Sequence, residues 1–129
     1  MADQAALEQK YAPVGQALTD FSEYGAKMEG IFMQGDKLVL KCSVPSKVVS
    51  NRVWDAIKKV DPNYADFEIQ MTVTGGDEQP YEIKSGDTLS AICLKFYGNA
   101  NKYPEVAKAN NMDPNHVSAG KTIQLPVLS

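Results

Sequence analysis

The chain has 129 residues, a formal net charge of −3 and no run of Lys and Arg. That balance argues against nucleic acid and anionic membrane surfaces as partners, since both need a concentrated positive patch. Met1 to Ala12 carries Asp3, Gln4, Glu8, Gln9 and Lys10 instead of an apolar signal core, and no apolar run approaches the roughly 18 residues that span a bilayer, so a cytoplasmic protein is expected.

The length suits one ordinary domain or two small ones. Asp3 is placed to cap a first helical stretch running toward Tyr11, and Pro13 suits the first turn of a second stretch with Val14, Ala17, Leu18 and Phe21 as its apolar stripe. Pro13 is compatible with one kinked helix or two pieces, and Gly25 is a C-terminal stop. Lys27 to Met33 and Lys37 to Val44 read as strands joined at Gln34-Gly35-Asp36, with Leu38, Leu40, Cys42 and Val44 on one face.

Pro45 ends the second strand and Ser46 is an N-cap for a helix whose stripe is Val49, Val53, Ala56, Ile57 and Val60, with Trp54 beside it. Asp61-Pro62-Asn63 breaks that helix. Phe67, Ile69, Met71 and Val73 then alternate with polar residues as a half-buried strand does. Residues 1–74 thus read helix, strand, strand, helix, strand, an order that resembles a BON domain.

Thr74 to Gln79 breaks both periodicities and reads as a linker, placed at residues 75–79. At about six residues it spans roughly 12–15 Å, which makes the flanking units neighbours. Beyond it, Tyr81 and Ile83 alternate with Glu82 and Lys84, Ser85-Gly86-Asp87 supplies a turn, and Asp87 or Thr88 caps a helix with Leu89, Ile92, Cys93 and Phe96 on one face. Phe96-Tyr97-Gly98 ends that helix, Tyr103 to Asn110 reads as the next, and Gly120 to Pro126 reads as a closing strand.

The pattern Tyr-x-Ile-x-x-Gly-Asp-Thr-Leu-x-x-Ile from Tyr81, followed by these elements in this order, resembles the LysM domain, a small glycan-binding module. The resemblance implies an α+β chain, with an α-β-β-α-β BON-like unit over 1–74 and a β-α-α-β LysM unit over 80–129. It further implies a shallow sugar groove with Gly86, Asp87, Thr88 and Leu89 on one wall and Asn110, Asn111, Met112 and Asp113 on the other. N-acetylglucosamine-containing glycan of the peptidoglycan or chitin type is the ligand it implies. The competing reading makes these residues purely structural, with Asp87 and Thr88 as caps, Asn110 as a helix end and Leu89 as core.

The two-domain order is also similar to that of a family of small cytoplasmic bacterial proteins that includes potassium binders, and Tyr97 to Tyr103 is close to that family's inter-helix segment. That resemblance implies a second function, a sensor in which a potassium ion docks the two domains. Its ligands would be carbonyl and carboxylate oxygens, at positions that the sequence does not locate. A third reading is an adaptor carried on a phage tail or secretion particle.

No catalytic constellation stands out, so an enzyme is not expected. His116 has no second His or Cys at ligand spacing, and Cys93 lies on an apolar helical face, so neither a zinc site nor a Cys–His pair is expected. Cys42 and Cys93 read as buried free thiols in separate units. Beyond a potassium ion, no cofactor is implied. Trp54, Tyr64 and Phe67 read as core and edge residues ahead of a stacking platform.

Overall fold

A computed structural model describes residues 3–128. The first helical stretch is two pieces, α1 (Gln4–Lys10) and α2 (Ala12–Asp20), hinged at Tyr11, with Pro13 in the first turn of α2. Asp3 caps α1 by accepting from the Ala5 N–H at 3.2 Å. A single 3-10 turn (Ser22–Tyr24) follows and closes at Gly25, whose φ of 112° is the left-handed conformation that a Cβ disfavours.

Strands β1 (Lys27–Gln34) and β2 (Lys37–Val44) form an antiparallel hairpin in which Gln34 faces Lys37 across Gly35-Asp36. Gly35 takes φ 62°, the positive value that the first position of a two-residue turn of this kind demands. Ser46 then caps α3 (Lys47–Val60) through its Oγ, which accepts from Val49 N–H at 3.2 Å. β3 (Phe67–Val73) returns parallel to β2, Leu38 facing Phe67 and Val44 facing Val73, so the sheet order is β1-β2-β3. Parallel neighbours need a long crossover, which α3 supplies.

One face of this sheet carries Leu38, Leu40, Cys42, Val44 and Phe67 into the core, against Leu7, Val14 and Leu18 of α1 and α2 and Val49, Val53 and Ile57 of α3. The α1 end is tied down by charge as well. Lys10 Nζ lies 2.9 Å from Asp66 and 3.3 Å from Asp61. The Tyr11 hydroxyl donates to Asp66 and its ring stacks on Phe67 with centroids 4.3 Å apart.

The C-terminal half is built on a two-stranded antiparallel sheet, β4 (Gln79–Glu82) with β5 (Thr122–Leu125), Tyr81 facing Ile123. Between them lie α4 (Leu89–Tyr97), a 3-10 turn (Ala100–Lys102) and α5 (Tyr103–Ala109). β4 begins at Gln79, so this residue, expected in the linker, is a buried strand position paired with Leu125. The chain is a mixed helix and strand protein of the α+β class, and the element orders expected for both halves are present.

The two halves share one apolar cluster. Phe21 and Tyr24 from the N-terminal half meet Phe96 at centroid distances of 5.3 and 5.2 Å, and Tyr81 closes the group at 5.5 Å from Phe96 and 6.0 Å from Tyr24. Arg52 of α3 adds a polar clasp by donating from Nε to the Lys95 carbonyl at 3.1 Å. Its guanidinium also lies against Gly98, where a Cβ would fall 2.6 Å from Nη1. Cys42 and Cys93 are free thiols, each buried in its own half.

Candidate functional site

The turn between β4 and α4 is held by Asp87. Its Oδ2 accepts the Lys84 N–H at 2.8 Å and the Tyr81 hydroxyl at 2.5 Å. Gly86 beside it takes φ 89°. Burial opposes ionisation of the Asp87 carboxyl, but the Tyr81 and Lys84 hydrogen bonds and the charges of Lys84 and Lys95 outweigh it and hold the group below the usual carboxylate range. Capping falls to Thr88, whose Oγ1 accepts from Ala91 N–H at 3.2 Å. Leu89 is 2% exposed and belongs to the core.

At the other side, α5 ends in a Schellman motif. Met112 N–H donates to Ala107 O at 3.0 Å and Asn111 N–H to Lys108 O at 3.2 Å, with Asn111 in the left-handed region at φ 49°. Asn110 stitches α5 to β5: its Nδ2 donates to Val106 O (2.9 Å) and Gln124 O (2.8 Å), and its Oδ1 accepts from Gln124 N–H (2.9 Å). An amide so engaged offers little to a sugar. Asn110→Ala is expected to cost about 1–2 kcal/mol of stability in urea unfolding, and a loss of only a few tenths would remove this structural role.

Asp113 caps the loop that follows, accepting from Asn115 N–H at 2.9 Å and lying 2.8 Å from His116 Nδ1. Those two contacts hold its carboxyl below the usual range.

Between the β4–α4 turn and this loop opens a cleft of about 470 Å³ lined by Asp87, Thr88, Leu89 and Ser90 on one side and Pro114, Asn115 and Val117 on the other, with Tyr103 between. The structure thus brings Asp87, Thr88 and Leu89 together at a cleft. Gly86, Asn110, Asn111, Met112 and Asp113 flank it without lining it. Tyr103, 38% exposed at the start of α5, and Ser90, Pro114, Asn115 and Val117 are lining residues that the motif had not nominated. An exposed aromatic ring beside short polar side chains over an apolar floor suits a pyranose, which has an apolar face and an equatorial rim of hydroxyls.

Larger grooves lie elsewhere among the described residues, including one of about 1000 Å³ between α2 and α3 and one of about 590 Å³ where α3 meets Val127 and Leu128. Trp54 and Tyr64 line the latter, in edge contact at 5.6 Å, and both are partly buried on the main cluster. Among the described residues there is no cluster of three or more His, Cys, Asp and Glu arranged to hold a metal ion, and no helix long and apolar enough to cross a membrane.

Residues 81–126, which run from β4 through the cleft to the end of β5, match the LysM domain family. The chain therefore contains a LysM domain in its C-terminal part. Over 64 residues it is 36% identical to the potassium binding protein Kbp of Escherichia coli, a match covering 47% of this chain and 43% of that protein. Two Mycobacterium tuberculosis proteins, esterase MT1326 and esterase Rv1288, are each 41% identical over 44 residues, 33% of this chain and 10% of theirs. The matches thus span less than half the length of these relatives. The chain is a LysM-containing protein similar to Kbp.

Proposed function

We propose that this is a non-catalytic binding protein whose LysM domain recognises N-acetylglucosamine-containing glycan in the cleft between the β4–α4 turn and the loop after α5. The observation that carries the reading is the coincidence of the matched segment with an open cleft holding an exposed Tyr103. In this reading the Tyr103 ring takes the apolar face of one sugar, while Leu89 and Val117 floor the N-acetyl methyl. Thr88, Ser90 and Asn115 exchange hydrogen bonds with hydroxyl and amide groups.

The test is an amide NMR titration of the intact chain with N-acetylglucosamine oligomers. Shifts confined to residues 87–90, 103 and 114–117 are expected, and Tyr103→Ala should weaken binding roughly tenfold without changing the spectrum of the β-sheets. Absence of any shift at millimolar sugar would sink the glycan reading.

A second reading, a potassium sensor, is supported by the similarity to a protein named for potassium binding. It also fits the shared cluster, through which a ligand that prefers the docked arrangement would stabilise both halves. Potassium chloride titrated against a sodium chloride control distinguishes it, because ion-specific shifts should then spread into residues 3–74. In both readings the N-terminal half is BON-like, which its element order supports, and the protein acts in the cytoplasm. Silence to sugar and ion together would favour the adaptor.

A further inference from the structure

The turn that walls the cleft is gripped from the N-terminal half. Glu23 and Tyr24 sit side by side on the 3-10 turn between α2 and β1. The Glu23 carboxylate lies 3.3 Å from Lys84 Nζ and 3.5 Å from Lys95 Nζ. Lys84 belongs to the turn itself, and its N–H is one of the two donors that fix Asp87. Tyr24 approaches by a second route. Its ring stands 6.0 Å from that of Tyr81, and the Tyr81 hydroxyl is the other donor to Asp87. Lys95 Nζ lies 5.0 Å from the Tyr24 ring centroid, linking the two routes.

We propose that Glu23 and Tyr24 are positioning residues for the cleft, so that the N-terminal half is a working part of the ligand site. This proposal rests on reading the cleft as the glycan site. The Ser85-Gly86-Asp87 segment is exposed or half-buried and has little packing of its own. Its geometry therefore depends on where Tyr81 and Lys84 deliver their hydrogens. Tyr24 sets the tilt of the Tyr81 ring, and Glu23 restrains the Lys84 side chain. Asp87 adjoins Thr88 and Leu89 in the cleft wall, so an error in its rotamer is transmitted to the surface that a sugar would meet.

The experiment uses the full chain as wild type and as Glu23→Gln, Tyr24→Leu, Tyr24→Phe and Val53→Ala. Val53→Ala is the control, since it removes buried volume from the N-terminal half and leaves the Glu23 and Tyr24 contacts in place. Two quantities are read: exchange of the Lys84 amide in the free protein, and affinity for the N-acetylglucosamine pentamer. Tyr24→Leu should speed Lys84 exchange and weaken pentamer binding roughly tenfold, and Glu23→Gln roughly twofold. Tyr24→Phe, which keeps the ring contact but loses the hydroxyl bonded to Glu23 and Tyr81, should fall between wild type and Tyr24→Leu in both readouts, and Val53→Ala should leave both unchanged.

Unaltered Lys84 exchange in Tyr24→Leu and Glu23→Gln, or equal loosening by Val53→Ala, would overturn the proposal. If wild type binds pentamer and both variants bind it equally well, the positioning role falls while the glycan reading stands. If wild type binds none, the glycan reading falls and takes the positioning of a sugar site with it, whereas the exchange data still show whether Glu23 and Tyr24 hold the turn. Should Tyr24→Leu fail to fold, Glu23→Gln decides, because Glu23 is exposed.

Discussion

Phe96→Ala should lower the unfolding free energy by about 3–5 kcal/mol, a large part of the roughly 5–15 kcal/mol that a small protein has. Phe96 is 1% exposed and touches Phe21, Tyr24 and Tyr81 with centroids 5.2–5.5 Å apart. Removing the ring empties a space bounded by elements of both halves, and rigid aromatic neighbours collapse into such a space poorly. The edge and tilted contacts are lost in addition to the buried area. Phe96→Leu keeps most of the volume and should cost about half as much or less. Urea unfolding followed by far-ultraviolet circular dichroism gives the two values. A loss below about 1 kcal/mol for Phe96→Ala would mean that the joint between the halves does not carry this load.

The second large effect is expected at Gly75, for a different physical reason. A Cβ there would lie 2.2 Å from the Pro45 carbonyl oxygen, a backbone atom that cannot rotate aside. The chain on either side of Gly75 is fixed by Thr74 N–H donating to Val44 O at 2.9 Å and Lys47 N–H donating to Gly76 O at 3.2 Å. Gly75→Ala therefore has to shift the start of α3 or the end of β3, at a cost of about 2–4 kcal/mol. Gly76→Ala is the matched control. A Cβ at Gly76 meets nothing within 4 Å, so that variant should be close to neutral. Equal melting temperatures for the two variants would contradict the close approach at Pro45.

Local chemistry made much of this fold legible. The alternation Leu38, Leu40, Cys42, Val44 marks the buried face of β2, and Ser46 caps α3 as its sequence context implies. Periodicity failed where neighbours come from far along the chain. Val39 points to the face opposite Leu38 and is nonetheless 0% exposed, flanked in register by Phe32 and Glu68. Val73 belongs to the inward set of β3 by alternation and is 38% exposed at the strand end. Gln79 reads as linker because it is polar. It is buried by pairing with Leu125, and its Oε1 has no hydrogen-bond partner among the described residues.

The candidate site divides in the same way. Asp87, Thr88 and Leu89 lie on a local strand-turn-helix motif, so residue spacing alone finds that wall. The opposite wall is displaced to Pro114, Asn115 and Val117 because Asn110 is consumed by Gln124, a contact across the fold. Tyr103 has the i, i+3, i+4 spacing of one helical face with Val106 and Ala107, which disguises it as core. Only the first-turn position of Tyr103 on a short helix leaves the ring open. The grip of Glu23 and Tyr24 on the β4–α4 turn joins residues some sixty positions apart, beyond the reach of any local pattern.

The two buried thiols give this architecture a chemical readout of its own. Burial, with a smaller push from Glu29, raises the Cys42 thiol to about 11, and burial with Glu105 nearby raises Cys93 to about 11. At neutral pH roughly one thiol in ten thousand is then the reactive thiolate, and an alkylating reagent has to wait for the surrounding core to open. Cys42 times the opening of the three-stranded sheet, and Cys93 times the opening of α4. Equal alkylation rates would show the halves breathing as one body, and unequal rates would identify which half lets go first.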